Sequence, residues 1–156
     1  QPGEVCFPGG RMESGETPEV CALRETFEEL SIPPEGVRLL GRLDFIAHRA
    51  NFLMQPVLGV VDSGALERMV PSTAEVDEVF FVPMSYLLTH PPIEYTYELI
   101  PTPAENFPYE VIGIPRDYRW QKGSENVPVY PWKGRAIWGL TGRITRNLIQ
   151  ICKTPG

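Results

Sequence analysis

Three glutamates and an arginine fall within the run Arg24-Glu25-Thr26-Phe27-Glu28-Glu29. On a helix each residue turns by about 100°, so Glu25 and Glu29 lie about 40° apart, with Glu28 about 60° to the other side. Carboxylates in adjacent turns of one face offer oxygen ligands to a hard divalent cation such as Mg²⁺ or Mn²⁺. The same pattern describes an ordinary solvated face, because like charges four apart cost only a few tenths of a kcal/mol. Taken alone, the helix favours the solvated face. Two further features point towards chemistry. Arg24 can reach Glu28 one turn on and fix the orientation of a carboxylate. Upstream, the turn Pro8-Gly9-Gly10 and Glu16 stand where a loop could fold back over the helix.

The elements that must position these groups are legible in outline. Thr17 offers an N-cap hydroxyl, Pro18 suits the first helical position, and Glu19 suits the first turn. The spacing predicts a helix to about Leu30, stopped by Pro33-Pro34, with Val20, Leu23, Phe27 and Leu30 as one core stripe. The glutamates lie opposite that stripe, so the core does not need them. Residues 5–7 read as the end of a strand that stops at Pro8-Gly9-Gly10. Strand character recurs at 37–47, 52–61, 76–82, 94–100 and 109–114, with a short helix at 84–88. An irregular stretch rich in Pro, Trp and Tyr follows. From about Gly134 the period becomes helical again, through Ile137, Leu140, Ile144, Leu148 and Ile151, and the closing helix is expected over about 134–152. This order predicts an α/β (α+β) sandwich with a mixed β-sheet, in one domain spanning residues 1–156.

Composition bounds the function. At 156 residues the chain is long enough to bury a core, and its net charge of −6 argues against a general nucleic-acid surface. A phosphorylated small molecule remains compatible, since a bound divalent metal inverts the local charge. Cys6, Cys21 and Cys152 form no CxxC pair and are expected as reduced thiols in the core. No apolar run approaches the roughly 18 residues of a membrane span. A soluble protein of the cytosol is the expectation, with no membrane partner.

Gly10, five residues, Glu16, seven residues, then Arg24-Glu25-Thr26-Phe27-Glu28-Glu29-Leu30-Ser31-Ile32 resembles the Nudix box, G-x5-E-x7-R-E-U-x-E-E-x-G-U. Every charged position of that signature is present at its spacing. Thr26 stands in place of a large aliphatic residue and Ser31 in place of the late glycine, which weakens the left-handed helix exit expected there. The run Gly3-Glu4-Val5-Cys6-Phe7-Pro8-Gly9-Gly10 resembles the second half of a motif found before the box in coenzyme A diphosphatases. Ile32-Pro33-Pro34, Glu75-Val76-Asp77-Glu78-Val79-Phe80 with Pro83, and Trp138-Gly139-Leu140-Thr141-Gly142 look like the same subfamily. Each also has a plainer reading: a strand-ending turn, a polar loop, and helix packing with Trp138 in the core. The first half of the upstream motif is not in the chain, so the N-terminal strand of the fold is expected to lie outside it. Residues 93–132 match no part of the family pattern and read as an insertion-like loop region.

The resemblance implies an α/β/α sandwich and hydrolysis of a nucleoside diphosphate linked to another moiety. For coenzyme A the products would be 3′,5′-ADP and 4′-phosphopantetheine. It implies Mg²⁺ or Mn²⁺ held by Glu25, Glu28, Glu29 and Gly10. Gly9, Gly10 and Glu16 would lie close to the substrate, Arg24 would orient a carboxylate, and Glu25 or Glu28 would be the base. Glu75 or Glu78 could supply an extra carboxylate from a later loop. Arg11, Arg42 and Arg49 are available for a 3′-phosphate, though none is assigned. A homodimer and, in a eukaryote, a peroxisomal location are compatible with the family. Two rivals stay open: a Nudix hydrolase acting on ADP-ribose, nucleotide sugars or dinucleotides, and a non-catalytic nucleotide-binding domain.

Overall fold

Thr17 begins the first helix as its chemistry dictates. Its backbone is extended and its Oγ1 accepts a hydrogen bond from the Val20 amide, ahead of Pro18 in the first turn. This helix, α1, spans Pro18–Leu30. It ends at Ser31, which takes the left-handed conformation (φ 55°) that the resemblance reserves for glycine. A non-glycine residue pays about 1 kcal/mol or more there. The Ser31 hydroxyl offsets part of that cost by donating to the Val70 carbonyl at 2.9 Å. Thr26 turns its hydroxyl back onto the Ala22 carbonyl at 2.7 Å, a bond within the helix that needs no outside partner.

The computed structural model describes residues 3–48 and 50–154. After a 3₁₀ turn, Pro34–Gly36, come β1 (Val37–Arg42), β2 (Ile46–His48), β3 (Phe52–Met54) and β4 (Val57–Val61). Two short helices follow, α2 (Ser63–Glu67) and α3 (Met84–Thr89), then β5 (Ile93–Leu99), α4 (Tyr109–Ile112), β6 (Gly123–Trp132), β7 (Arg135–Ile137) and α5 (Gly139–Lys153). The fold is α+β, as expected. Among the described residues the strands pair only antiparallel, as β1-β4, β2-β3 and β5-β6-β7, where a mixed sheet was expected. No described helix is long and apolar enough to cross a membrane.

The buried core gathers Leu87 of α3, Tyr130 of β6, Ile137 of β7 and Ile149 of α5, with Val5, Phe80 and Val82 packed against it. Helix α5 approaches β6 through a residue with no side chain. A Cβ on Gly142 would stand 2.5 Å from the Pro128 carbonyl oxygen, so only glycine permits this contact. The buried face of α5 is accordingly Thr141, Gly142, Thr145 and Ile149, not the stripe from Leu140 to Ile151.

Several elements differ from expectation. Residues 5–7 and 76–82 form no strand and pair with none among the described residues; the Val76 amide instead closes a turn onto the Ser72 carbonyl, and residue 77 is a bend. The runs at 37–47 and 52–61 each break into two strands, where Leu43 and Gln55 turn inward: the Leu43 amide donates to the Pro56 carbonyl, and the Gln55 side chain to the Leu43 carbonyl. Residues 109–112 form α4, closed by the left-handed Gly113, where a strand was expected over 109–114. The stretch read as irregular contains β6, the longest strand, whose Pro128 and Pro131 hide its period. The closing helix starts at Gly139, because 135–137 is β7. On α1 the expected core stripe is half open: Val20 and Phe27 are each 52% exposed. Cys21 is the buried residue of that helix, and Cys6 and Cys152 are exposed rather than core.

Helix α1 is tied to β1 by Arg42, whose Nε and Nη2 donate to the two oxygens of Glu19 at 2.7 and 2.9 Å. This fork holds the Glu19 carboxyl at a pKa of about 2. A depressed folded value stabilises the protein fully above the unfolded value, and the contribution is lost as pH falls through about 2. A carbon-detected NMR titration should place the Glu19 midpoint near 2 in the unaltered protein. In Arg42→Ala it should return to the ordinary range, roughly 4. An ordinary midpoint in both proteins would show that the tie does not form in solution.

Candidate functional site

The guanidinium of Arg24 organises the acidic face of α1. Its Nε and Nη2 donate to the two oxygens of Glu16 at 2.8 and 3.1 Å. Its Nη1 donates to Glu25 at 2.8 Å and to Glu28 at 3.0 Å, and Nη2 also reaches the Arg11 carbonyl at 3.2 Å. One side chain therefore joins the upstream loop, the next residue in the chain and a residue one turn on. The fork holds the Glu16 carboxyl at a pKa of about 2, helped by the Glu13 amide. Glu16 thus locks the loop against the helix and carries no proton at neutral pH.

The glycine turn closes over the same face. The Gly9 amide donates to a Glu29 oxygen at 3.3 Å, and the Gly10 carbonyl lies 3.9 Å from the Cys21 sulfur. A Cβ on Gly10 would stand 2.2 Å from Glu25 Oε1, so the Glu25 carboxylate fills the space that any side chain at position 10 would need. Gly9 has no such neighbour. The three glutamates differ in surroundings. The Glu25 side chain is packed beneath Gly10 at 14% exposure, whereas Glu28 is 51% exposed. Burial, then repulsion from Glu25, Glu75 and Glu28, pushes the Glu29 carboxyl above the usual range, against the pull of the Gly9 amide.

The loop after α2 reaches this face through its backbone. The Val70 amide donates to the Leu30 carbonyl and the Ser72 amide to the Glu29 carbonyl, at 3.0 and 2.8 Å. That seats Glu75 where its charge is felt by Glu29. Glu78 goes elsewhere: both its oxygens accept from the Arg135 guanidinium. Of the two candidates for an extra carboxylate, Glu75 faces the site and Glu78 is tied to β7. Arg42 is likewise committed to Glu19, and Arg11 meets Arg24 through its carbonyl. Arg49 lies outside the described residues. Trp138, expected in the core, is 48% exposed at the start of α5. Sequence reasoning missed the backbone partners, the Arg11 carbonyl and the Glu13 and Ser72 amides, because main-chain groups carry no residue signature.

The donor chemistry suits a hard divalent cation. It is all oxygen, it includes a carboxylate whose charge is raised in energy by its neighbours, and the absence of a side chain on Gly10 lets the Glu25 carboxylate lie directly against the turn. As arranged, Glu25 and Glu28 accept from Arg24 and Glu29 from the Gly9 amide, and among the described residues no three His, Cys, Asp or Glu side chains are gathered closely enough to hold a metal ion.

Comparison with known proteins places this geometry in context. The NUDIX domain profile matches residues 1–101. The chain is 46% identical over 152 residues to Nudix hydrolase 3 of Caenorhabditis elegans, covering 96% of this chain and 60% of that protein. It is 38% identical over 100 residues to the mouse peroxisomal coenzyme A diphosphatase NUDT7, covering 64% of this chain and 41% of that protein. An uncharacterised Nudix hydrolase, NudL of Enterobacter sp., is 38% identical over 157 residues, covering 99% and 70%. The chain thus spans well under two thirds of the worm and mouse relatives.

Proposed function

The chain belongs to the Nudix family, and from that premise we propose that it is a metal-dependent diphosphatase of nucleoside diphosphate derivatives, acting on coenzyme A or its thioesters. The observation that supports this reading is the arrangement of the acidic face: Arg24 grips Glu25 and Glu28, Glu25 lies against Gly10, and Glu29 accepts from the Gly9 amide. Residues 1–156 would act as one domain. The preference for coenzyme A rests on the Phe7-Pro8-Gly9-Gly10 and Trp138–Thr141 resemblances and on the activity in the mouse relative's name.

In the reaction a water oxygen attacks one phosphorus, the bridging P–O bond breaks, and each product keeps one of the two phosphates of the diphosphate, the 3′-phosphate of coenzyme A staying on the ADP. Glu25, Glu28, Glu29 and the Gly10 carbonyl would hold Mg²⁺ or Mn²⁺, which supplies positive charge to the diphosphate oxygens and acidity to bound water. Arg24 bridges Glu25 and Glu28 through Nη1 and so fixes one oxygen of each. Gly9 and Gly10 let the substrate approach the backbone without a Cβ in the way. Between the two candidate bases we choose Glu28: its open carboxylate can receive a proton, whereas Glu25 is enclosed.

Incubating the protein with coenzyme A, ADP-ribose or a nucleotide sugar, with and without Mn²⁺, and separating the products by chromatography tests the proposal. Mn²⁺-dependent appearance of 3′,5′-ADP and 4′-phosphopantetheine, faster than turnover of the other two, is expected. Preference for ADP-ribose or the nucleotide sugar would move the assignment within the family. Absence of turnover on all three would sink the catalytic reading.

A further inference from the structure

The glycine turn is held at both ends, and only one end belongs to the acidic helix. Four residues before Gly9, the Val5 carbonyl accepts a hydrogen bond from the Thr141 hydroxyl at 2.8 Å. Thr141 is 8% exposed and sits in the first turn of α5, where Gly142 brings the helix onto β6 at a distance no other residue allows. The helix is further braced by Thr145, whose hydroxyl donates to the Thr141 carbonyl at 2.8 Å. Val5 itself packs against the Leu87–Tyr130–Ile137–Ile149 cluster. Among the described residues the segment pairs with no strand, and the Thr141 hydroxyl is what meets its backbone.

We infer that Thr141 is a positioning residue for the proposed reaction: its hydrogen bond to Val5 sets where Gly9 and Gly10 meet Glu29 and Glu25. The inference rests on the diphosphatase reading for its catalytic consequence, but its structural content is independent. Val5 and Gly9 are four residues apart, a span of at most about 14 Å, and Pro8 stiffens it by fixing its own φ. A shift at Val5 therefore travels to Gly10, which lies directly against the Glu25 carboxylate. A serine at 141 can make the same bond; a valine has the same shape without the donor. A hydroxyl at this position is thus part of the site although it touches none of the acidic groups.

The test compares Thr141→Val and Thr141→Ser with the unaltered protein by ¹H–¹⁵N NMR and by turnover of coenzyme A with Mn²⁺. In Thr141→Val the Gly9 and Gly10 amide resonances should move while those of Thr145 and Ile149 stay. Its kcat should fall about tenfold to a hundredfold at little-changed KM, since a displacement near 1 Å has effects of that order. Thr141→Ser should restore both. Unmoved Gly9 and Gly10 resonances in Thr141→Val would overturn the inference, as would a serine variant that behaves like the valine one. Should Thr141→Val not fold, Thr141→Ala takes its place under the same criteria. If the unaltered protein turns over no substrate, the functional reading falls, and the resonances alone still decide whether Thr141 positions the turn.

Discussion

Glu29→Gln should stabilise the protein in the presence of a chelator and, in the same molecule, lower turnover by about a thousandfold. The two effects have one cause. Glu29 is partly buried and pressed by Glu25, Glu75 and Glu28, so its carboxyl is raised above the usual range. A raised folded pKa favours the folded state below the unfolded value, and that favour is lost as pH rises through the folded pKa. At neutral pH the charged form is therefore a strain on the fold. Glutamine still accepts from the Gly9 amide, less strongly than the carboxylate, and carries no charge, so the Tm advantage of the variant should be larger at pH 7.5 than at pH 4. Catalysis needs the charge that stability would rather lose. A cation-ligating carboxylate worth several kcal/mol, at 1.36 kcal/mol per factor of ten, corresponds to about three decades in kcat. Calorimetric melts at the two pH values with EDTA, beside Mn²⁺-dependent assays, measure both arms. Undiminished turnover in this variant would remove Glu29 from the site.

Gly10→Ala should be nearly neutral for folding and severe for activity. The added Cβ would overlap Glu25 at 2.2 Å from Oε1 and 2.6 Å from Cδ. What must give way is the end of a flexible side chain, so the stability change should stay near the ±0.5 kcal/mol of surface substitutions. The Arg24–Glu25 bond, 2.8 Å long, cannot survive that movement unchanged. Displacing one carboxylate by about 1 Å costs on the order of a hundredfold in rate. Gly9→Ala is the matched control: its Cβ meets nothing within 4 Å, so Mn²⁺ affinity should hold. A rise in KM alone in that variant would report that the substrate passes over the turn. Equal activity of Gly10→Ala and the unaltered protein would show that Glu25 tolerates the displacement and is not held for a purpose.

The helix that carries these groups was legible because its determinants are local. Thr17, Pro18 and the Pro33-Pro34 stop act within a few residues, and Arg24 reaches Glu28 by the geometry of one turn. The resemblance implied only that Arg24 orients a carboxylate; that it also grips Glu16 in a bidentate fork is visible in the structure alone. Errors came where the deciding partner lies far along the chain. Residues 76–82 have the composition of a strand but pair with none among the described residues, and β6 carries two prolines yet pairs with β5 over 123–129 and with β7 over 130–132. Strand character is a statement about a half-buried surface and is settled only by what lies opposite.

By itself the sequence determined which groups could do chemistry here, and in what order: two glycines, Glu16, Arg24, then three glutamates on one helical face. It determined this because helical geometry converts spacing directly into direction. Only the tertiary structure decided how those groups differ. It enclosed Glu25 under Gly10, left Glu28 open, and pressed Glu29 between burial and three like charges. It turned Glu75 towards the site and Glu78 away to Arg135, although the two are three residues apart in one loop. It also joined Thr141 to Val5 across 136 residues. Burial, electrostatic neighbours and long-range hydrogen bonds are set by packing between distant segments, and no local pattern encodes them.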